Sequence, residues 1–154
     1  MAKSQGFLSD LATILLGARA TLTMQSATQT RICSVEDFLA SPDWNDEILR
    51  AVNIPFLKEN QAFNSYKTAV RPVNSHAWIN AAFLVTREGN VITDATLAFG
   101  GVQESDVRGS HALLAKKTAA FLLNKELTTP VLQEALEILR KEVPLLIAVE
   151  MMKG

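Results

Sequence analysis

The period of the hydrophobic pattern changes after Gly100 and Gly101, and that change indicates the class of fold. Between residues 62 and 99 three strand-like runs occur, 62–70, 78–87 and 91–99, and the turn Glu88-Gly89-Asn90 joins the last two. After Gly100 and Gly101 the period becomes about 3.6, which is typical of amphipathic helices, over residues 110–123 and 131–143. Strands followed by helices predict an α+β fold in which a three-stranded antiparallel meander is covered by helices.

The first third of the sequence predicts a smaller unit of mixed structure. Ser9 and Asp10 indicate a short helix over residues 9–16, because a side-chain oxygen at this position caps free backbone N–H groups. A hairpin over 20–26 and 30–33, a helical turn that starts at Ser34 and a strand over 48–54 follow. The polar segment 57–61 then separates two strand-like runs. We therefore predict two subdomains, residues 1–57 and 62–154.

The C-terminal stretch predicts one more helix. Pro144 precedes residues 145–152, which are apolar on nearly every side. A helix of this kind must pack on something, either on this core or on a missing partner.

Composition excludes several classes of partner. Hydrophobic residues make up 48% of the 154 residues, charged residues make up 20%, and the formal net charge is −1. Neither intrinsic disorder nor binding to nucleic acid is expected of such a chain. No apolar run approaches the roughly 20 residues that span a bilayer, and no signal peptide is evident. We expect no membrane contact and a cytoplasmic location.

Few residues in the sequence are candidates for metal binding or catalysis. Cys33 is the only cysteine, so an internal disulfide is impossible and a cysteine-based metal site is excluded. The two histidines, His76 and His111, have no acidic or cysteine neighbour at metal-ligand spacing. No nucleophile motif or phosphate-binding loop is present. We expect no metal site and no catalytic residue within this chain.

Three features admit both a structural and a ligand-binding interpretation. Lys67 lies within a strand, where its side chain reaches either solvent or an anion. Asp10 stabilises a helix N-terminus even without a ligand. Gly100-Gly101 either turns the chain from sheet to helix layer or lets a cofactor approach the backbone.

An ordered series of short blocks resembles the FAD domain of the xanthine dehydrogenase and aldehyde oxidase family. Each block is weak alone, but their order across residues 7–125 makes the resemblance specific. The blocks are Phe7-Leu8-Ser9-Asp10-Leu11-Ala12 with Ile14-Leu15-Leu16-Gly17-Ala18, Ser34-Val35-Glu36-Asp37-Phe38-Leu39, Glu47-Ile48-Leu49 through Ile54-Pro55-Phe56, Phe63-Asn64-Ser65-Tyr66-Lys67, Ile79-Asn80-Ala81-Ala82-Phe83, Leu97-Ala98-Phe99-Gly100-Gly101, and Ala115-Lys116-Lys117-Thr118 with Leu122 and Lys125.

The chain also departs from the family pattern. Ala119 and Asn124 stand where the family usually carries Glu and Gly, changes that affect a helix cap more than a flavin. Asn74-Ser75-His76 replaces an acidic pair, which favours an aldehyde oxidase-like or divergent animal-type sequence.

The resemblance implies FAD as the cofactor, with Asp10, Leu49 and Lys67 as its contacts. It implies a parent molybdenum hydroxylase in which electrons pass from iron–sulfur centres to FAD and on to NAD or oxygen. The molybdopterin and the iron–sulfur clusters would belong to other domains or subunits, and the parent is expected to be a homodimer. This chain is not expected to be active alone.

The Gly-rich segment that grips FAD in the family is not found before the Ser-Asp-Leu helix. Residues 1–57 therefore resemble the remnant of an α/β FAD-binding subdomain, and residues 62–154 resemble the α+β C-terminal subdomain of the flavoprotein. The alternative is a truncated, non-catalytic module that has lost FAD and acts as an interaction or scaffold domain.

Overall fold

The computed structural model describes residues 9–41, 46–71, 75–101 and 112–143. Within these ranges the chain forms four helices and two antiparallel sheets. The α+β class that the sequence predicts is confirmed.

Residues 10–53 form a three-stranded antiparallel sheet, with the first strand of the hairpin in the middle, and two short helices. The Ser9 hydroxyl caps the first helix by accepting from the backbone N–H of Ala12 at 3.2 Å, and the Ser34 hydroxyl caps the second through Asp37 at 2.9 Å. The predicted first helix, hairpin, helical turn and strand are confirmed. The elements in chain order are α1 (Asp10–Gly17), β1 (Thr21–Gln25), β2 (Thr30–Ser34), α2 (Val35–Ala40) and β3 (Ile48–Asn53).

The second sheet has four strands in the order of the sequence and contains the predicted meander. Its strands are β4 (Gln61–Ala69), β5 (Ala77–Glu88), β6 (Val91–Gly100) and β7 (Ala112–Leu114). Gly89, in the turn between β5 and β6, has a φ of +61°, and Gly101, just after β6, has a φ of +81°. Both values favour glycine, and the predicted turn Glu88-Gly89-Asn90 is confirmed by the pairing of Glu88 with Val91.

The predicted helix over residues 110–123 is wrong at its start. Ala112–Leu114 pair with residues 98–100 as strand β7, and helix α3 spans Lys116–Leu122. Residues 110 and 111 lie outside the described ranges. Alanine and leucine favour helices locally. Here their backbone groups form hydrogen bonds with β6 instead, and helix propensity does not take such a contact between strands into account.

Helices α3 and α4 cover one face of the second sheet. Helix α4 (Thr129–Glu142) confirms the prediction for residues 131–143 and begins two residues earlier, with Pro130 in its first turn. The buried residues of this layer are Ala81, Ile92, Leu97, Phe99, Ala115, Leu122, Ala135 and Val143. The predicted helix over residues 145–152 lies outside the described ranges. Among the described helices, none is long and apolar enough to cross a membrane.

Helix α1 packs against the other face of the same sheet at very short range. A Cβ atom placed on Gly17 would lie 2.6 Å from the Cβ of Ala82, closer than real Cβ atoms come. Ala82 and Ala98 are completely buried, and Ala112 continues this surface of small side chains. Because the facing residues are small, the helix lies directly on the sheet, with its first turn beside β4 and β5.

Glu142, in the last turn of α4, caps helix α3. Its carboxylate accepts from the backbone N–H groups of Lys117 at 2.6 Å and Thr118 at 2.8 Å, and from the Thr118 hydroxyl at 2.7 Å. The residue before α3 is Ala115, which has no side-chain oxygen. A carboxylate from a distant turn therefore supplies the cap that the local sequence does not.

We expect Glu142→Ala to lower the free energy of unfolding by about 1–3 kcal/mol, because two helical N–H groups and a buried hydroxyl lose their acceptor. The matched control is Glu137→Ala, which removes an exposed carboxylate 2.6 Å from Arg140 on the same helix and should cost less than about 0.5 kcal/mol. Urea unfolding of both variants measures the difference. Equal losses would contradict a capping role for Glu142.

Candidate functional site

An ion pair joins the first turn of α1 to strand β4. The Nζ atom of Lys67 lies 2.7 Å from Oδ2 of Asp10, and the two side chains are 38% and 39% exposed. The two residues are 57 positions apart in the chain, and the seating of α1 on the sheet brings them together. Two of the three residues that the resemblance marks as flavin contacts are therefore neighbours.

A buried amide holds the same carboxylate from the other side. Asn80 on β5 donates from Nδ2 to Oδ1 of Asp10 at 2.5 Å, and its Oδ1 accepts from the Thr13 hydroxyl at 2.8 Å. Asn80 is 4% exposed and Thr13 is fully buried. The two oxygens of Asp10 thus have separate donors.

Sequence reasoning missed the role of Asn80. The available signal was an asparagine in the middle of the apolar run Trp78-Ile79-Asn80-Ala81-Ala82. A polar side chain at such a position is buried and requires a hydrogen-bonding partner. The sequence does not reveal which residue that partner is.

The environment of Asp10 lowers the pKa of its carboxyl group. Partial burial acts in the opposite direction and is the largest single effect. The hydrogen bonds from Lys67 and Asn80, together with the positive charge of Lys67 and the nearby imidazole of His76, outweigh it and lower the pKa of Asp10. Asp10 also lies at the N-terminus of a helix, where the helix dipole favours a negative charge. The side chain is therefore a carboxylate at neutral pH, able to accept hydrogen bonds but not to donate them.

A cavity of about 460 Å³ opens beside Asp10, between α1, α2 and the first sheet. Leu49 and Val52 on β3 form one wall, and Leu15 on α1 contributes to another. Asp10 and His76 lie at its polar side. Leu49, the third residue marked by the resemblance, therefore lines the same cavity as Asp10. Among the residues that the structure describes, the lining consists of Ser9, Asp10, Leu11, Ala12, Leu15, Leu22, Val35, Phe38, Leu39, Leu49, Val52, Ser75 and His76.

Strand β3 is exposed along its whole length and includes several large apolar side chains. Leu49 is 46% exposed, Ile48 is 67% exposed, and Phe56 in the segment that follows is 98% exposed. β3 is an outer strand of the first sheet. Large apolar side chains that are exposed together on an outer strand are consistent with a surface for a ligand or another protein.

A second groove of about 600 Å³ lies between the second sheet and helices α3 and α4. Its lining is mainly apolar, with Phe83, Leu97 and Phe99 from the sheet and leucines from α4. Asp10, Leu49 and Lys67 do not line it. This groove therefore has no part in the candidate site.

The remaining candidate residues are the two histidines and the cysteine. His76 is exposed and His111 lies outside the described ranges. Cys33 is half-buried on β2. Among the residues that the structure describes, no group of three or more histidine, cysteine or acidic side chains is placed to hold a metal ion.

Comparison with known proteins places this chain in a family. Residues 64–154 match the family described as the CO dehydrogenase flavoprotein C-terminal domain. The chain is 35% identical over 147 residues to an indole-3-acetaldehyde oxidase of Zea mays, covering 93% of this chain and 10% of that protein. It is 36% identical over 160 residues to an indole-3-acetaldehyde oxidase of Arabidopsis thaliana, covering 93% of this chain and 11% of that protein.

A solved structure shares the fold. A carbon monoxide dehydrogenase from Hydrogenophaga pseudoflava superposes with a TM-score of 0.75 at 16% identity, over 89% of this chain and 47% of that one. This chain therefore spans a small part of the curated relatives and about half of a solved flavoprotein chain.

The Asp10–Lys67 pair should make stability depend on pH. Because the pKa of Asp10 is lowered on folding, the stabilisation is present above the unfolded pKa of about 3.9 and is lost as the pH falls through the folded value. Both side chains are more than one third exposed, so we expect Asp10→Asn to cost no more than about 1 kcal/mol at about pH 7, and less at about pH 3. Urea unfolding at the two pH values measures this. A cost that does not change with pH would contradict it.

Proposed function

The chain belongs to the CO dehydrogenase flavoprotein C-terminal domain family, and we propose that it forms part of an FAD site in a molybdenum hydroxylase of the aldehyde oxidase or xanthine dehydrogenase type. One observation carries the proposal. Asp10 and Leu49 line a single cavity, and Lys67 is bonded to Asp10 at its edge. Two of the three residues thus line one cavity, and the third is bonded to one of those two.

The chemistry of this cavity suits a flavin ring. Its volume lies within the range of about 300–1,000 Å³ that is usual for small-molecule sites. The apolar wall of Leu49, Val52 and Phe38 offers a surface on which a flat ring packs. The Asp10 carboxylate accepts from ribityl hydroxyl or ring N–H groups. When bound, FAD would supply the two-electron chemistry that the side chains of this chain cannot perform.

Lys67 supplies a positive charge at the edge of the cavity. Its ammonium group has three N–H donors and uses one of them on Asp10 at 2.7 Å. It can therefore hold Asp10 and still donate to a second acceptor. A fixed cation of this kind favours negative charge on a bound group, the role that we propose for Lys67 beside FAD.

The complete enzyme activity requires parts that this chain does not span. We propose that the iron–sulfur clusters and molybdopterin lie in other domains or subunits, that electrons reach FAD from the iron–sulfur centres and leave to NAD or oxygen, and that the parent enzyme is a cytoplasmic homodimer. The exposed apolar surface of Leu49, Ile48 and Phe56 supports a neighbouring flavoprotein segment that completes the site. The division into residues 1–57 and 62–154 stays a prediction.

A non-catalytic interaction or scaffold module is the second candidate function. The observation that favours it is the direct 2.7 Å contact between Asp10 and Lys67, which by itself connects α1 to the sheet. In that case the pair would serve only to hold α1 on the sheet, and the cavity would not take up FAD.

We expect Lys67→Ala to weaken FAD retention by about tenfold, since a charge-assisted hydrogen bond is lost, and to make the flavin harder to reduce. The test co-expresses this chain with the part of a flavoprotein that it does not span, and measures bound FAD and its reduction potential. Lys58→Ala, at an exposed lysine outside the cavity, is the matched control.

The outcomes separate the two candidate functions. Unchanged FAD content and potential in Lys67→Ala would remove Lys67 from the site. A wild-type assembly that stays folded and takes up no FAD would instead favour the scaffold module.

A further inference from the structure

We propose that Asn80 is a positioning residue that fixes the orientation of the Asp10–Lys67 pair at the cavity edge and thereby sets the affinity of the cavity for FAD. Asn80 itself does not line the cavity. The part that concerns FAD rests on the proposed function, whereas the positioning of Asp10 is a property of this chain alone.

Chemistry fixes the orientation of the Asn80 amide. An ionised carboxylate only accepts hydrogen bonds, so the NH₂ group of Asn80 must face Asp10 and the carbonyl oxygen must face Thr13. The distances agree, with 2.5 Å from Nδ2 to Asp10 Oδ1 and 2.8 Å from the Thr13 hydroxyl to Asn80 Oδ1. The amide therefore has one orientation that satisfies both neighbours.

Strand register places Asn80 where it can do this. On β5 it lies directly opposite Lys67 of β4 and opposite Gly100 of β6. Lys67 and Asn80 therefore point to the same face of the sheet, the face that carries α1. Gly100 brings no side chain to that face, which leaves room for the first turn of the helix.

Burial makes the Asn80 contact more rigid than the Lys67 contact. Asn80 is 4% exposed and Thr13 is fully buried, whereas the Lys67 side chain is 38% exposed. An exposed lysine exchanges its partner with water readily, but a buried amide that loses its partner leaves an unsatisfied polar group. We therefore assign the orientation of Asp10 to Asn80, and the positive charge of the site to Lys67.

The test compares Asn80→Leu with the wild-type chain by two independent readouts. Carbon-13 NMR of the Asp10 carboxyl gives its pKa in the full chain without FAD, and we expect that pKa to rise because a hydrogen bond to the charged form is lost. In the co-expressed flavoprotein assembly, we expect FAD to dissociate about tenfold more readily, the loss typical of one charge-assisted hydrogen bond.

Two further variants keep the test decisive. Thr13→Val preserves side-chain shape and removes only the hydroxyl that orients Asn80, so it should shift both readouts in the same direction even if Asn80→Leu fails to fold. Asn64→Leu is the matched control, because Asn64 is an exposed asparagine on β4 opposite Phe83. It should leave both readouts unchanged.

The two readouts together distinguish the positioning role from FAD binding. A raised Asp10 pKa with weakened FAD binding supports the whole proposal. A raised pKa in an assembly whose wild type takes up no FAD supports positioning by Asn80 and overturns both the FAD part and the proposed function. An unchanged pKa in folded Asn80→Leu and Thr13→Val overturns the positioning role.

Discussion

The close contact between helix α1 and the second sheet is the constraint on which the candidate site depends. Gly17 lies against Ala82 with no space for a Cβ atom between them. This contact seats the helix, and its first turn then meets β4 and β5 at Lys67 and Asn80. A larger residue at position 17 would lift the helix from the sheet, which would separate Asp10 from both partners.

The sequence predicted the elements whose signals are local. Ser9 and Ser34 mark helix starts because a hydroxyl at that position caps the first turn, and the strand alternation identifies the meander. Strand β7 escaped prediction because its pairing with β6 is a tertiary contact. The ion pair of Asp10 with Lys67 and the hydrogen bond from Asn80 are likewise contacts between distant residues, which no spacing rule connects.

One departure from the family pattern has a physical explanation. Asn124 stands where the resemblance leads one to expect glycine, and it adopts a φ of +61° just after helix α3. Asparagine tolerates this left-handed conformation better than other side chains do. The cap geometry is therefore kept without glycine, and the backbone N–H of Asn124 donates to the carbonyl of Ile92 at 2.8 Å.

The central claim is that the cavity beside Asp10 is a flavin site. An NMR titration with FAD tests it most directly, on the nitrogen-15-labelled chain co-expressed with the part of a flavoprotein that it does not span. We predict that amide shifts change around Asp10, Leu49 and Lys67, while those around the groove under α4, such as Leu132 and Leu136, stay constant. No change at saturating FAD, or changes confined to the groove under α4, would contradict the claim.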